Sequence, residues 1–259
     1  MDFEKMDSQD TNENKDFVKN TRENIISKMN SFIDNEKSYS PEQKEQYRGK
    51  IEKAINLAIE IHKDQKPRPD GPYVNHILRV ANRIIEEYGI KDPELVMAAL
   101  LHDSVEDQAN KLASLLPNDL TMESDRAAAL LFIRNEFGER VEKIVFKLSN
   151  PEREPEGSSA EERNIIYKEH VKEAIEDEDV LPIKLSDFSD NGLNLNSVSD
   201  SERRLKLSKK YLPVMEVFIE RLQTAHSVFG GEKIVEVSER LLTVTKDTKQ
   251  FIQEHEVAL

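Results

Sequence analysis

From Leu95 to Leu101 the chain reads LVMAALL, and the next six residues, His102-Asp103-Ser104-Val105-Glu106-Asp107, bring four ionisable groups up against it. A helix with no polar face has to be buried on every side. The groups that follow it therefore begin at the edge of an interior, where His and Asp need partners. Asp92-Pro93-Glu94 opens this helix with an N-cap residue and a proline at the first helical position. If the helix continues through the acidic cluster, His102 pairs with Glu106 and Asp103 with Asp107, each four residues apart on adjoining strips of one face. Three carboxylates so close repel one another unless a cation or several donors compensate them. A divalent metal is the economical answer.

The rest of the chain reads as helical. Glycines number only eight, tryptophan is absent, and stretches rich in Glu, Lys, Leu and Ile favour helices over sheets. Ser40, Pro41 and Gln43 form a helix start with the elements of a capping box. The segment Lys66-Pro67-Arg68-Pro69-Asp70-Gly71-Pro72 cannot be helical and must be a loop. A second helix spans about Tyr73 to Tyr88 and ends at Gly89 as a left-handed cap. Further helices are predicted at about 125–137, 139–148 and 160–176, through KLSDFSDNGLNL, over about 200–229, and after Gly230-Gly231. Residues 1–22 are polar and lack periodicity, so they are expected to be a flexible lead-in. Residues 23–259 are expected to form one compact all-α domain around a single core.

Charge and composition narrow the function. A net charge of −14 argues against a nucleic-acid binder, because phosphate backbones are gripped by clustered Lys and Arg. A small anionic substrate could still bind if a cation supplied the missing charge. No cysteine occurs, so disulfides, thiolate metal sites and cysteine nucleophiles are excluded, and any metal must use His and carboxylate. No apolar run approaches the roughly 18 residues that span a bilayer, and the polar, acidic N-terminus is unlike a signal peptide. A cytoplasmic protein without membrane contact is expected, with a homo-oligomer left open.

One helix supplies too few ligands, so others must converge. His76 stands near the start of the second helix, just after the Pro/Gly loop, and Asp187 lies among polar groups embedded in an otherwise apolar helix. The remaining histidines, His62, His170, His226 and His255, are read as structural. Two imidazoles and two carboxylates suit Mn²⁺, with Fe²⁺, Zn²⁺ and Mg²⁺ as alternatives. Such an ion makes hydrolysis of a phosphate ester the natural reaction, with Glu106 and Asp107 able to orient or deprotonate the attacking water.

The ordered motifs HKDQ (62–65), RPDGPYVNH (68–76), AALLHDSVED (98–107), FGERVEKIV (137–145) and IKLSDFSDN (183–191) resemble the HD-domain hydrolases related to the stringent-response enzymes that hydrolyse (p)ppGpp. The resemblance covers about residues 45–220. It implies a helical HD fold, Mn²⁺ held by His76, His102, Asp103 and Asp187, catalytic support from Glu106 and Asp107, and removal of a 3′-pyrophosphate from a guanine nucleotide. It also implies that Asn191 lies near the nucleotide. Lys66 and Arg68 are then the best phosphate contacts from the loop. The sequence departs from that pattern at Pro67-Arg68, where those enzymes carry an Arg-Lys pair, at Ile77 in place of a proline, and at Phe188 in place of an arginine. A nucleoside monophosphate phosphatase with the same site chemistry and a non-catalytic metal- or nucleotide-binding module are the alternatives.

Overall fold

The computed structural model describes residues 11–117, 122–150, 158–225, 228–229 and 231–256. Helices account for the regular structure among them, and no strand is present in these residues. The all-α expectation holds. None of the helices is long and apolar enough to cross a membrane.

The chain forms two compact units. The first contains α1 (Asn12–Asn35), α2 (Pro41–His62), α3 (Tyr73–Glu86), α4 (Pro93–Leu100), the short α5 (Ser104–Asp107) and α6 (Ala109–Ala113), α7 (Asp125–Phe137) and α8 (Glu139–Leu148). Its centre is α4, of which every residue except Glu94 is buried, with α2, α3 and α8 packed around it. The apolar run thus finds the enclosure it requires. Asp92 accepts from the backbone N–H of Glu94 and Leu95, so the start of α4 lies where the Asp-Pro pair predicts. Arg140 of α8 binds both Asp92 and Glu94, at 2.8 and 3.1 Å. The Ser40–Gln43 capping box on α2 is present as expected, and Gly89 takes a φ of 72°.

The second unit contains α9 (Ala160–Ala174), α10 (Val180–Gly192), a 3₁₀ turn at Leu195–Ser197, α11 (Ser201–Leu222) and α12 (Gly231–Glu256). Here α11 is the hub, in contact with α9, α10 and α12. Phe188 of α10 is 1% exposed, its ring tilted on Phe218 at 5.1 Å and edge-on to Tyr211 at 5.6 Å. The position that departs from the family resemblance is therefore a core residue of this unit.

The expectation for the N-terminal segment fails. Residues 12–22, taken as a flexible lead-in, belong to α1. Thr11 caps the helix by accepting from the N–H of Asn14, and α1 packs on α3, burying Ile25, Met29 and Ile33. The apolar face that orders this helix lies in its second half, and the polar first half is carried along by helix continuity. Residues 1–10, the greater part of the loop expected at 150–160 and His226 lie outside the described residues.

Two glycine substitutions should move stability in opposite directions. A Cβ on Gly192 would sit 2.7 Å from Phe188 Cζ, so Gly192→Ala forces a packed ring to shift and should cost about 1–3 kcal/mol. A Cβ on Gly49, inside α2, meets nothing within 4 Å, so Gly49→Ala should gain about 0.5–1 kcal/mol. Thermal melts followed by circular dichroism would check both signs.

Candidate metal centre

The helix of the apolar run does not continue through the acidic cluster. α4 ends at Leu100, Leu101 N–H is shared between the carbonyls of Met97 and Ala98, and His102 and Asp103 occupy a turn before α5. The predicted helical pairing of His102 with Glu106 is replaced by this break, whereas the backbone bond from Asp107 N to Asp103 O keeps the second pair one turn apart. Ending the helix here turns two side chains inward that a continuous helix would place on successive positions around its axis.

The turn aims His102 with a backbone contact. Its Nδ1 lies 2.8 Å from the carbonyl of Ala99, an acceptor only, so Nδ1 carries the proton. Nε2 then presents its lone pair to Asp103 Oδ2 at 3.1 Å. From the first turn of α3, His76 Nε2 faces the same oxygen at 3.5 Å, and the two imidazole rings meet edge to face at 5.3 Å. Both histidines are almost wholly buried. Burial by itself raises the carboxyl of Asp103, but when a proton sits on the facing Nε2 of His102 or His76 its positive charge outweighs burial and holds the group well below the usual carboxylate range. A neutral imidazole lone pair directed at a carboxylate oxygen is repulsive unless a proton or a cation lies between them. Two imidazole nitrogens and a carboxylate oxygen form a donor set that fits a divalent metal, with His102 oriented by a backbone carbonyl as ligating histidines commonly are.

A polar layer surrounds this group. Tyr73 donates to Asp103 Oδ2 at 2.6 Å. Gln65 Nε2 donates to Asp107 Oδ2 at 2.7 Å, while its Oε1 receives Gln108 Nε2 at 2.9 Å and lies 2.6 Å from His62 Nδ1. Those neighbours fix which way the Gln65 amide points. Partial desolvation and the charge of Asp103 raise the Asp107 carboxyl, which still reaches solvent, against the lowering effect of Gln65 and Tyr73. The sequence reading missed Tyr73, Gln65 and Gln108. The available signal was the HKDQ and PYVNH motifs, which place Gln65 three residues after His62 and Tyr73 three before His76.

The first unit thus brings together His76, His102, Asp103 and Asp107 of the expected residues. Glu106 is exposed on α5. Lys66 is exposed on the Pro/Gly loop, and Arg68 is held there by Asp70, with Nε at 3.7 Å, and by the Tyr73 ring, at 6.0 Å. Gly71 closes that loop with a φ of 130°, and a Cβ there would meet the side chains of Asn75 and Asn14 at 3.0 and 3.2 Å. In the second unit, Asn191 Nδ2 donates to Asp187 Oδ1 at 2.6 Å along one turn of α10, which fixes the Asp187 carboxylate. Of the histidines read as structural, His62 is buried and His255 lies 2.9 Å from the carbonyl of Phe251.

A family model described as HD domain matches residues 54–225. The chain belongs to the HD-domain family. It is 32% identical over 177 residues to a guanosine-3′,5′-bis(diphosphate) 3′-pyrophosphohydrolase of Aquifex aeolicus, an alignment covering 68% of this chain and 22% of the relative. It is 29% identical over 168 residues to a GTP pyrophosphokinase of Streptomyces coelicolor, covering 65% and 17%. A shorter segment of 55 residues is 47% identical to the guanosine-3′,5′-bis(diphosphate) 3′-pyrophosphohydrolase MESH1 of Danio rerio, covering 20% and 31%. The chain therefore spans between about a sixth and a third of the length of these curated relatives. A solved structure described as a metazoan ortholog of SpoT that hydrolyzes ppGpp and plays a role in starvation responses shares the fold, with a TM-score of 0.53 at 22% identity over 76% of this chain and 94% of that one. Membership in the HD-domain family implies a divalent metal, and the His/Asp group described above is a possible site for it.

Burial lowers the pKa of His62 to about 4, against an ordinary value of 6.5, so the fold favours its neutral form. The stability this secures is complete above about pH 6.5 and is lost as pH falls toward about 4, because the unfolded chain binds the proton first. In metal-free protein, the advantage of wild type over His62→Gln should shrink across that window by about 1.4 kcal/mol per pH unit. Urea midpoints at several pH values measure it, and a constant difference would contradict the burial argument.

Proposed function

We propose that this chain is an HD-type metal-dependent phosphohydrolase acting on a small nucleotide, with removal of the 3′-pyrophosphate of (p)ppGpp as its reaction. The observation that carries the reading is the convergence of His76 Nε2 and His102 Nε2 on one oxygen of Asp103. The activities for which the relatives are named support the substrate. In this reading His76, His102, Asp103 and Asp187 hold the ion, Mn²⁺ being the first candidate ahead of Fe²⁺, Zn²⁺ and Mg²⁺. When bound, the cation lowers the pKa of a coordinated water and neutralises charge on a phosphoryl oxygen.

The chain's own residues supply the rest. Asp107, whose carboxyl is raised by partial desolvation and by Asp103, takes the proton of the attacking water, and Gln65 fixes its orientation. The bond between the ribose 3′ oxygen and phosphorus breaks, the 3′ oxygen takes up a proton from Asp107 or solvent, and GDP and pyrophosphate are released. Glu106 lies on the solvent side of the same turn and assists proton removal. Asn191 orients Asp187 and borders the nucleotide. Lys66 and Arg68 approach the substrate phosphates from the loop, which offsets locally a chain of net charge −14. The same negative charge leaves nucleic acid no part in the reading. A cytoplasmic location completes it.

The test is product analysis with ppGpp and a panel of nucleoside monophosphates, with and without Mn²⁺. Pyrophosphate and GDP from ppGpp are expected. Orthophosphate from a monophosphate alone would assign the phosphatase instead, and no turnover of any nucleotide by the metal-loaded protein would make the chain a binding module. Asp103→Asn should abolish both metal binding and turnover. Asp107→Asn should keep the metal and lower kcat by about 10²- to 10⁴-fold.

A further inference from the structure

Tyr73 opens α3 one turn before His76. Its ring stacks on His62, with centroids 5.4 Å apart and planes 19° from parallel, and meets His76 edge-on at 5.5 Å and 74°. With both sides of the ring engaged, the freedom left to the side chain is rotation of its O–H about the C–O bond. The oxygen lies 2.6 Å from Asp103 Oδ2, the same oxygen that both imidazole nitrogens face. It also interacts with the carboxylate of Asp107. A hydroxyl has one proton to donate, so it can serve one of these two carboxylates at a time.

We propose that Tyr73 is a two-position positioning residue: its O–H rests on Asp103 in the cation-free protein and turns to Asp107 when a divalent cation takes the Asp103 oxygen. The inference rests on the metal-centre reading of the preceding section. Its consequence is that cation arrival and the orientation of the general-base carboxylate are coupled through one side chain. Asp107 is prepared to receive it, because Gln65 already grips Oδ2 from a position fixed by Gln108 and His62. Two donors on Asp107 would orient its remaining lone pairs toward the reacting water. No proton leaves Tyr73 in this exchange. Burial and the facing carboxylates push its ionisation upward, away from neutral pH.

The chain contains six tyrosines and no tryptophan, so its near-ultraviolet spectrum reports tyrosine hydrogen bonding directly. The experiment titrates the chelator-treated full chain with Zn²⁺, following near-ultraviolet difference absorption and, by calorimetry, the Zn²⁺ affinity. A saturable tyrosine difference band is expected in wild type and in Tyr47→Phe, but not in Tyr73→Phe. Tyr73→Phe should also bind Zn²⁺ about 10-fold more weakly, as expected when an outer hydrogen bond to a ligand is lost. Asp107→Asn, which keeps Tyr73 and replaces the charged acceptor, should bind Zn²⁺ with a diminished band. This arm decides the matter if far-ultraviolet circular dichroism shows Tyr73→Phe to be unfolded. Zn²⁺ bound without a tyrosine band, an equal band in Tyr73→Phe, or a band unchanged in Asp107→Asn overturns the two-position role and leaves the metal reading standing. A wild-type chain that binds no Zn²⁺ overturns both.

Discussion

A half-buried carboxylate facing two imidazole nitrogens is the constraint around which the first unit is built. Asp103 Oδ2 stands 3.1 Å from His102 Nε2 and 3.5 Å from His76 Nε2, and the latter two atoms belong to nearly inaccessible side chains. Such an arrangement is costly when its electrostatics are left uncompensated. The fold nevertheless invests in holding it. A carbonyl of α4 fixes the His102 tautomer, a tyrosine hydroxyl grips the Asp103 oxygen, and α3 delivers His76 in its first turn. Each of these is an orienting contact, and none of them supplies positive charge. Donors aimed in this way are what a metal site would offer to a cation.

The elements that carry the site owe their rigidity to burial. α4 is enclosed by α2, α3 and α8, so the position of its last residue, and of the turn that follows, is set by packing on every side. α3 buries Val74, Ile77, Leu78, Val80, Ala81, Ile84 and Ile85, which fixes the helix whose first turn presents Tyr73 and His76. The loop before it is pinned by a different means. Arg68 and Gly71 exchange backbone hydrogen bonds at 2.9 and 3.1 Å, and Asn14 of α1 reaches Asn75 at 3.1 Å. The loop that carries Lys66 and Arg68 is thus closed on itself, and the helix it introduces is tied to the N-terminal helix.

Much of this was legible in the sequence, for identifiable reasons. Cap residues define their helices locally, so Ser40-Pro41, Asp92-Pro93 and the glycines at 89 and 138 mark boundaries that the structure keeps. The His102-Asp103 pair was legible because its setting after an apolar run forces it inward. Three features were hidden. The end of α4 at Leu100 carries no Gly, Pro or Asn signal, since it is imposed by tertiary demand on the two residues that follow. α1 was hidden because Thr11 is an N-cap in a stretch that is otherwise uniformly polar, and its buried residues begin only at Ile25. The outer layer of Tyr73, Gln65 and Gln108 was hidden for a third reason. Spacing along one helix finds neighbours on that helix, whereas Tyr73 meets Asp103, Gln65 meets Asp107 and Gln108 meets Gln65 across sequence separations of 30, 42 and 43.

Charge links the architecture to the proposed chemistry. A chain of net charge −14 repels an anionic nucleotide at long range, so productive binding depends on positive charge concentrated at short range. The loop offers Lys66 and Arg68, but Arg68 is already shared with Asp70 and the Tyr73 ring, and Lys66 is exposed to solvent that screens it. Neither is a strong attractor alone. A divalent cation seated at Asp103 would be the largest positive charge in the first unit and would stand in a buried setting where screening is weakest. The weak pull of these two loop cations is therefore consistent with a site whose attraction for phosphate arrives with its metal. On that logic, substrate affinity and metal occupancy are two readings of one electrostatic centre.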